Sequence, residues 1–135
     1  CCYLDERTMT LITGDSLQLN GTVSQGCALL MDTEGYQKTL SRLQAMPIEN
    51  IVCGHPYLPL GAEAIGREAV QAYLSACVSC ASHDEGFVHG MQAAGETDPA
   101  KIASALIREV GGKKPAYLFL PLYTVTQYMR KEDKQ

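Results

Sequence analysis

Two short runs, TMTLITGDS at residues 8–16 and IENIVCGHP at residues 48–56, decide how this chain is read. Each is apolar and ends in a glycine followed by a side chain able to hold a metal, Gly14-Asp15 in the first and Gly54-His55 in the second. Apolar runs closed by such breakers read as short buried strands, here over residues 8–13 and 48–53. Between them Tyr36, Leu40 and Leu43 recur at i, i+4 and i+7, one apolar stripe of a helix that runs to about Met46. Asp32 or Thr33 caps its start and Pro47 closes it. Residues 16–35 read as a polar loop with Asn20-Gly21 and Gly26 as breakers. A strand, a returning helix and a second strand form a parallel or near-parallel pair, which brings Asp15 and His55 to one edge of a sheet. The expected fold class is α/β.

Downstream, residues 63–80 carry Ile65, Ala69, Ala72, Tyr73, Ala76 and Cys77 at helical spacing, with Gly66 as a weak point. Residues 82–95 (SHDEGFVHGMQAAG) show no period and several breakers, which reads as a linker or mobile loop. Asp98 followed by Pro99 opens a third helix whose stripe is Ile102, Leu106 and Val110, stopped by Gly111-Gly112. A last helix spans about residues 121–131, with Leu122, Val125 and Tyr128 or Met129 on one side and the charged tail RKEDKQ at its end. The division expected is an α/β part over residues 1–82 and a helical part over residues 96–135.

The 135 residues suffice for one domain with a real core. A composition 46% hydrophobic and 19% charged is that of a folded globular chain and excludes disorder for its bulk. Eleven basic and fifteen acidic side chains leave a net charge of −4 and no basic stripe, so nucleic acid is not an expected partner. No apolar run reaches the roughly 18 residues of a membrane span, and no secretory leader opens the sequence, so a soluble cytoplasmic protein without a membrane partner is expected. The first residue is Cys1 rather than Met, which points to a processed or partial chain. Six unevenly spaced cysteines in an apolar chain of this size read as free thiols in a reducing compartment.

Asp15 and His55 carry the chemistry. An imidazole gives a borderline nitrogen and a carboxylate a hard oxygen that can bridge two ions, a combination suited to a divalent metal. The same dipeptides also suit an Asp that caps a turn and a His in a loop, and the two strand ends alone do not choose.

The order of these elements, a strand, GDSLQ, a loop and then DTEGYQKTLSRLQAMPIENIVCGHP, resembles the C-terminal half of metallo-β-lactamase-fold hydrolases, the glyoxalase II-like and lactonase-like members included. The likeness covers about residues 3–81, and the helical tail, DPAKIASALIREVGG and PLYTVTQYMRK, looks like the accessory helices of glyoxalase-like members. It implies part of an αββα sandwich followed by a helical extension. It also implies that Asp15 bridges two metal ions, positions the nucleophile and so serves catalysis, and that His55 is a terminal ligand of one ion. Zinc is the implied metal, with iron or manganese as substitutes, and the implied reaction is hydrolysis of a small-molecule ester, thioester or lactone by metal-activated water. The family's HxHxDH motif is absent from these residues. Two ligands do not hold a catalytic zinc, so the chain alone is expected to be inactive, completed by a missing N-terminal half or a partner chain. Half a sandwich exposes an apolar sheet face, so pairing, including a homo-oligomer, is expected.

Two other readings stand beside this one. The chain is a non-catalytic interaction or dimerisation module on the same scaffold, or Cys77, Cys80, His83 and His89 form a structural zinc site. Tyr36 and Tyr57 lie close enough to the motifs to donate to a substrate. Lys113-Lys114 and the basic tail read as solvated surface or as a grip on an anionic substrate group.

Overall fold

The computed structural model describes residues 1–113 and 119–132. The chain order is β1 (Tyr3–Asp5), β2 (Thr10–Gly14), α1 (Thr33–Gln44), β3 (Asn50–Tyr57), β4 (Gly61–Ile65), α2 (Arg67–Ala93), α3 (Pro99–Glu109) and α4 (Phe119–Glu132). The four strands form one mixed sheet in the order β1-β2-β3-β4. β1 and β4 flank it antiparallel, and the central pair β2 and β3 is parallel, with Leu11 opposite Ile51 and Gly14 opposite Cys53. That parallel pair is the one expected from the two quoted runs.

Alternation along the strands sorts the sheet into two faces. Leu11, Thr13, Ile51, Cys53 and Ala64 are buried against the helices, with Leu40 and Leu43 of α1 and Val70, Tyr73, Leu74 and Cys77 of α2 completing the first core. Each fully buried Leu contributes roughly 1.5–3 kcal/mol by leaving water. The opposite face carries the apolar side chains of Tyr3, Ile12, Val52 and Ile65, all exposed, with Tyr3 at 70% and Ile65 at 64%. Scattered exposed apolar residues are ordinary, but four on one face of one sheet form a patch.

Caps behave as the residue types dictate. Asp32 accepts from the Gly35 amide at 2.9 Å and opens α1, which ends two residues before Met46. Asp98 accepts from the Ala100 amide at 2.9 Å, and Pro99 occupies the first turn of α3. At the far ends of α2 and α3, Gly95 and Gly111 take φ of 92° and 76°. The amides of Glu96 and Gly112 reach back to the carbonyls of Met91 and Ile107, which is the Schellman closure that a left-handed glycine permits.

Four expectations are corrected. The run after Cys53 is not broken by Gly54-His55-Pro56: β3 continues to Tyr57, and its pairing with β4 shifts register between Val52 and Tyr57. Residues 61–65 are a strand rather than the start of a helix, and α2 begins at Arg67 after Gly66 at φ 88°. The segment 82–95 is not a linker: residues up to Ala93 belong to the 27-residue α2. Its buried stripe runs unbroken through Cys77, Ala81, Asp84 and Val88, but a charged residue occupies the stripe at position 84. Finally, the loop before α1 is not polar throughout, since Leu17, Leu19, Cys27, Ala28 and Leu30 are buried in it. β1 had no counterpart in the sequence reading, and Lys114 and the last three residues of the tail lie outside the described residues.

A second core gathers Cys27, Ala28 and Leu30 of the loop with Ala81 and Val88 of α2, Ile102, Ala103 and Leu106 of α3, and Val125 and Tyr128 of α4. At roughly 1.5 Å per residue α2 is about 40 Å long, enough to serve both cores. All six cysteines are free. Among the described residues no helix is long and apolar enough to cross a membrane.

Asp84 sits in α2 at 0% exposure, with Oδ1 3.3 Å from His83 Nδ1 and Oδ2 without a hydrogen-bond partner. Burial pushes its carboxyl up to about 6 from 3.8, against the pull of His83. A raised acid favours folding only while protonated, so this contribution is intact below pH 3.8 and is lost as the pH rises through about 6. A shift of this size corresponds to about 3 kcal/mol. Urea unfolding of wild type against Asp84→Asn should show wild type losing on the order of 1–3 kcal/mol relative to the variant between pH 4 and 7. A constant difference between the two across that interval would contradict a buried ionising carboxylate.

Candidate metal-binding site

The site lies where β2 ends beside β3. Because these strands are parallel and adjacent, the end of β2 lies beside the second half of β3, and Gly14 at φ 53° turns the chain so that Asp15 leaves the strand toward β3. Asp15 Oδ1 lies 2.7 Å from His55 Nδ1, 40 residues away in sequence. The Tyr57 hydroxyl donates to the same oxygen at 2.7 Å and stands 3.4 Å from His55 Nδ1. Both candidate side chains are more than half exposed, 62% for Asp15 and 58% for His55, while the Tyr57 ring is buried below them. The structure therefore brings the two sequence-selected residues together.

Gly54 makes that meeting sterically feasible. A Cβ there would stand 2.9 Å from Asp15 Oδ1, closer than real Cβ atoms approach, and 3.2 Å from the Gly14 carbonyl, a tight contact, so the carboxylate would have to move. At position 54 the carboxylate thus lies directly over the strand, with the Gly14 backbone close beside it.

Electrostatics follow from the contacts. The Tyr57 hydrogen bond, then that of His55, holds the Asp15 carboxyl below its ordinary 3.8 against a small desolvation, so it is anionic at neutral pH. Burial and the neighbouring Asp15 charge raise the Tyr57 phenol, which stays protonated and keeps donating. Tyr57 is therefore a support for Asp15, where its sequence position had marked it as a donor to substrate. Tyr36, half-buried at the start of α1, also stays protonated, since burial raises its phenol.

The base of Asp15 is held from behind. Gln18, 6% exposed, donates from Nε2 to the Asp15 carbonyl at 2.9 Å, and its Oε1 accepts from the Leu29 amide at 2.9 Å and from Gln25 Nε2 at 2.6 Å. Gln18 was missed in the sequence because a lone amide in a loop carries no pattern. The signal that existed was its place three residues after Asp15 in an otherwise apolar LQL run.

The rival Cys/His set does not assemble. Cys77 is fully buried, its thiol pushed up to about 12 by burial, and Cys80 is raised to about 11. His83 faces Asp84 and Glu109, the latter at 3.4 Å, and His89 Nε2 lies 3.1 Å from the Tyr128 carbonyl. Among the described residues no group of three His, Cys, Asp or Glu side chains converges to hold a metal. No protein-family model and no curated protein matches the chain.

The support given by Tyr57 and Gly54 is open to measurement by carboxyl-detected NMR titration. Tyr57→Phe removes the largest stabiliser of the Asp15 anion and should move its midpoint up toward 3.8. Gly54→Ala should move it in the same direction by displacing the carboxylate. An unchanged midpoint in both variants would dissolve the described geometry.

Proposed function

We propose that this chain supplies one side of the metal centre of a hydrolase with the metallo-β-lactamase architecture, with Asp15 and His55 as ligands. The observation that carries the reading is the 2.7 Å contact between Asp15 Oδ1 and His55 Nδ1, where β2 ends beside its parallel neighbour β3. The donor chemistry fits: a carboxylate held anionic and an imidazole, both open to solvent, suit zinc and also iron or manganese. The number does not suffice, because a catalytic zinc needs three protein ligands and an open position. The remaining ligands are proposed to come from polypeptide beyond these residues or from a partner chain. The exposed apolar sheet face of Tyr3, Ile12, Val52 and Ile65 supports this, since a sandwich buries such a face against a second sheet.

A divalent ion held there supplies Lewis-acid polarisation of a carbonyl and acidifies water, the chemistry that opens esters, thioesters and lactones. This chain's own part is positional. Tyr57 and Gly54 fix the Asp15 carboxylate over β3, Gln18 fixes its backbone, and His55 keeps its ring more than half exposed beside it. A soluble cytoplasmic enzyme acting on a small molecule is the setting proposed. A non-catalytic pairing module is the second reading, favoured by the same exposed sheet face.

Manganese is the probe of choice, because its preference for oxygen ligands keeps it off the six thiols. Mn²⁺ added to the 135-residue chain should broaden NMR signals of Asp15 and His55 first. Asp15→Asn should weaken that binding about tenfold or more, the scale of losing a charged ligand, while Cys80→Ser leaves it unchanged. Broadening centred elsewhere, or surviving Asp15→Asn undiminished, would refute the metal-centre reading and leave the pairing module.

A further inference from the structure

A cleft of about 850 Å³ opens directly beside Asp15 and runs along the flank of α1. That volume lies in the range of roughly 300–1,000 Å³ seen for small-molecule sites. Its apolar wall is made by Cys2 at the sheet edge, Leu30 and Met31 of the loop, and Tyr36, Leu43 and Met46 of α1 and its exit. Two carboxylates, Asp15 and Asp32, and one cationic side chain, Arg42, complete the charged lining.

The positions of these charges are set by topology. β2 and β3 are parallel, so the connecting α1 runs back against them and begins at the end of the sheet that holds Asp15. Asp32, which caps α1, therefore lies at the Asp15 end. Arg42 stands in the last turn of α1, ten residues on and about 15 Å further along the helix. The Arg42 guanidinium has no carboxylate or hydrogen-bond partner among the described residues. The cleft thus offers two negative charges at the candidate metal site, an apolar middle and an unpaired positive charge at the far end.

We propose that this cleft is a substrate subsite for an aliphatic ester or thioester that carries a carboxylate at the end of its chain. The inference rests on the reading of Asp15 as part of the reaction centre, and it names the substrate class of that centre. The chain lies along Leu30, Met31 and Leu43, the carboxylate pairs with Arg42, and the neutral ester is delivered to Asp15. The reverse orientation sets the anion against Asp15 and Asp32, and like charge disfavours it. Arg suits this role because its planar fork pairs a carboxylate with two parallel hydrogen bonds, and the same surface penalises a cationic chain end.

Monomethyl sebacate, which has an ester at one end and a carboxylate at the other, is the probe, titrated into the metal-free 135-residue chain by NMR. Saturable binding with shifts at Met31, Leu43 and Arg42 is expected. Arg42→Gln should weaken it about tenfold, the loss of one charge-assisted pair, and dimethyl sebacate should bind wild type no better than the monoester binds that variant. Arg42 is exposed and on a helix surface, so the variant keeps the fold. No saturable binding, or an affinity within about twofold in Arg42→Gln, overturns the proposal. Because this binding is read without metal, its loss alongside intact Mn²⁺ binding at Asp15 sinks the subsite alone. Failed Mn²⁺ binding with intact sebacate binding sinks the reaction centre and reduces the cleft to a carboxylate-binding groove.

Discussion

The parallel pairing of β2 with β3 is the constraint on which the molecule depends. Parallel neighbours cannot be joined by a hairpin, so a crossover must carry the chain back, and here that crossover is the loop and α1. The same pairing places the carboxyl end of β2 beside the second half of β3. Asp15 and His55 meet because β2 ends with Gly14 opposite Cys53, two residues before His55 on a β3 that runs on to Tyr57. The cost is local: the carboxylate occupies the space above Gly54, and a Cβ there would displace it.

Much of this was legible from residue types with strong local consequences. Asp32, Asp98 with Pro99, and Gly111 announced helix ends because capping is decided within a few residues. The helix of Leu40 and Leu43 and the parallel strand pair followed from periodicity. The Asp15–His55 pair was legible only as two similar Gly-containing junctions, and its 2.7 Å contact needed the register between strands. What misled was a local signal overruled by packing. Glycine and proline at 54 and 56 read as a stop, yet a register shift against β4 absorbs them within β3. Asp84 concealed the apolar period of α2, because a charge in a buried stripe looks like the end of the stripe.

Asp84 is also where the molecule carries an electrostatic cost. It occupies the stretch of α2 that joins the sheet core to the helical core, and its unpartnered Oδ2 is buried among groups whose own ionisation it opposes, including the Cys27 and Cys80 thiols. An apolar residue there would pack without that penalty. His83 at 3.3 Å offsets part of it and links α2 to Glu109 of α3 through its other ring nitrogen.

The helical half reaches the candidate site through one continuous set of contacts. Thr124 of α4, fully buried, donates to the Ala28 carbonyl at 2.8 Å and accepts from the Leu30 amide at 3.0 Å. Between those residues the Leu29 amide donates to Gln18, which in turn donates to the carbonyl of Asp15. The loop is pinned once more where Asn20 and Gly21 exchange backbone hydrogen bonds with Leu58, just beyond Tyr57. Leu30 and Met31, one wall of the cleft, therefore stand on a segment whose backbone is held by α4 on one side and by the residues around Asp15 on the other. A loop fixed at both ends in this way cannot shift its apolar wall without disturbing the carbonyl of Asp15. The cleft wall and the Asp15 carboxylate are thereby joined through one hydrogen-bonded segment, the arrangement by which a site of the proposed kind would hold a substrate chain and its reacting end in register.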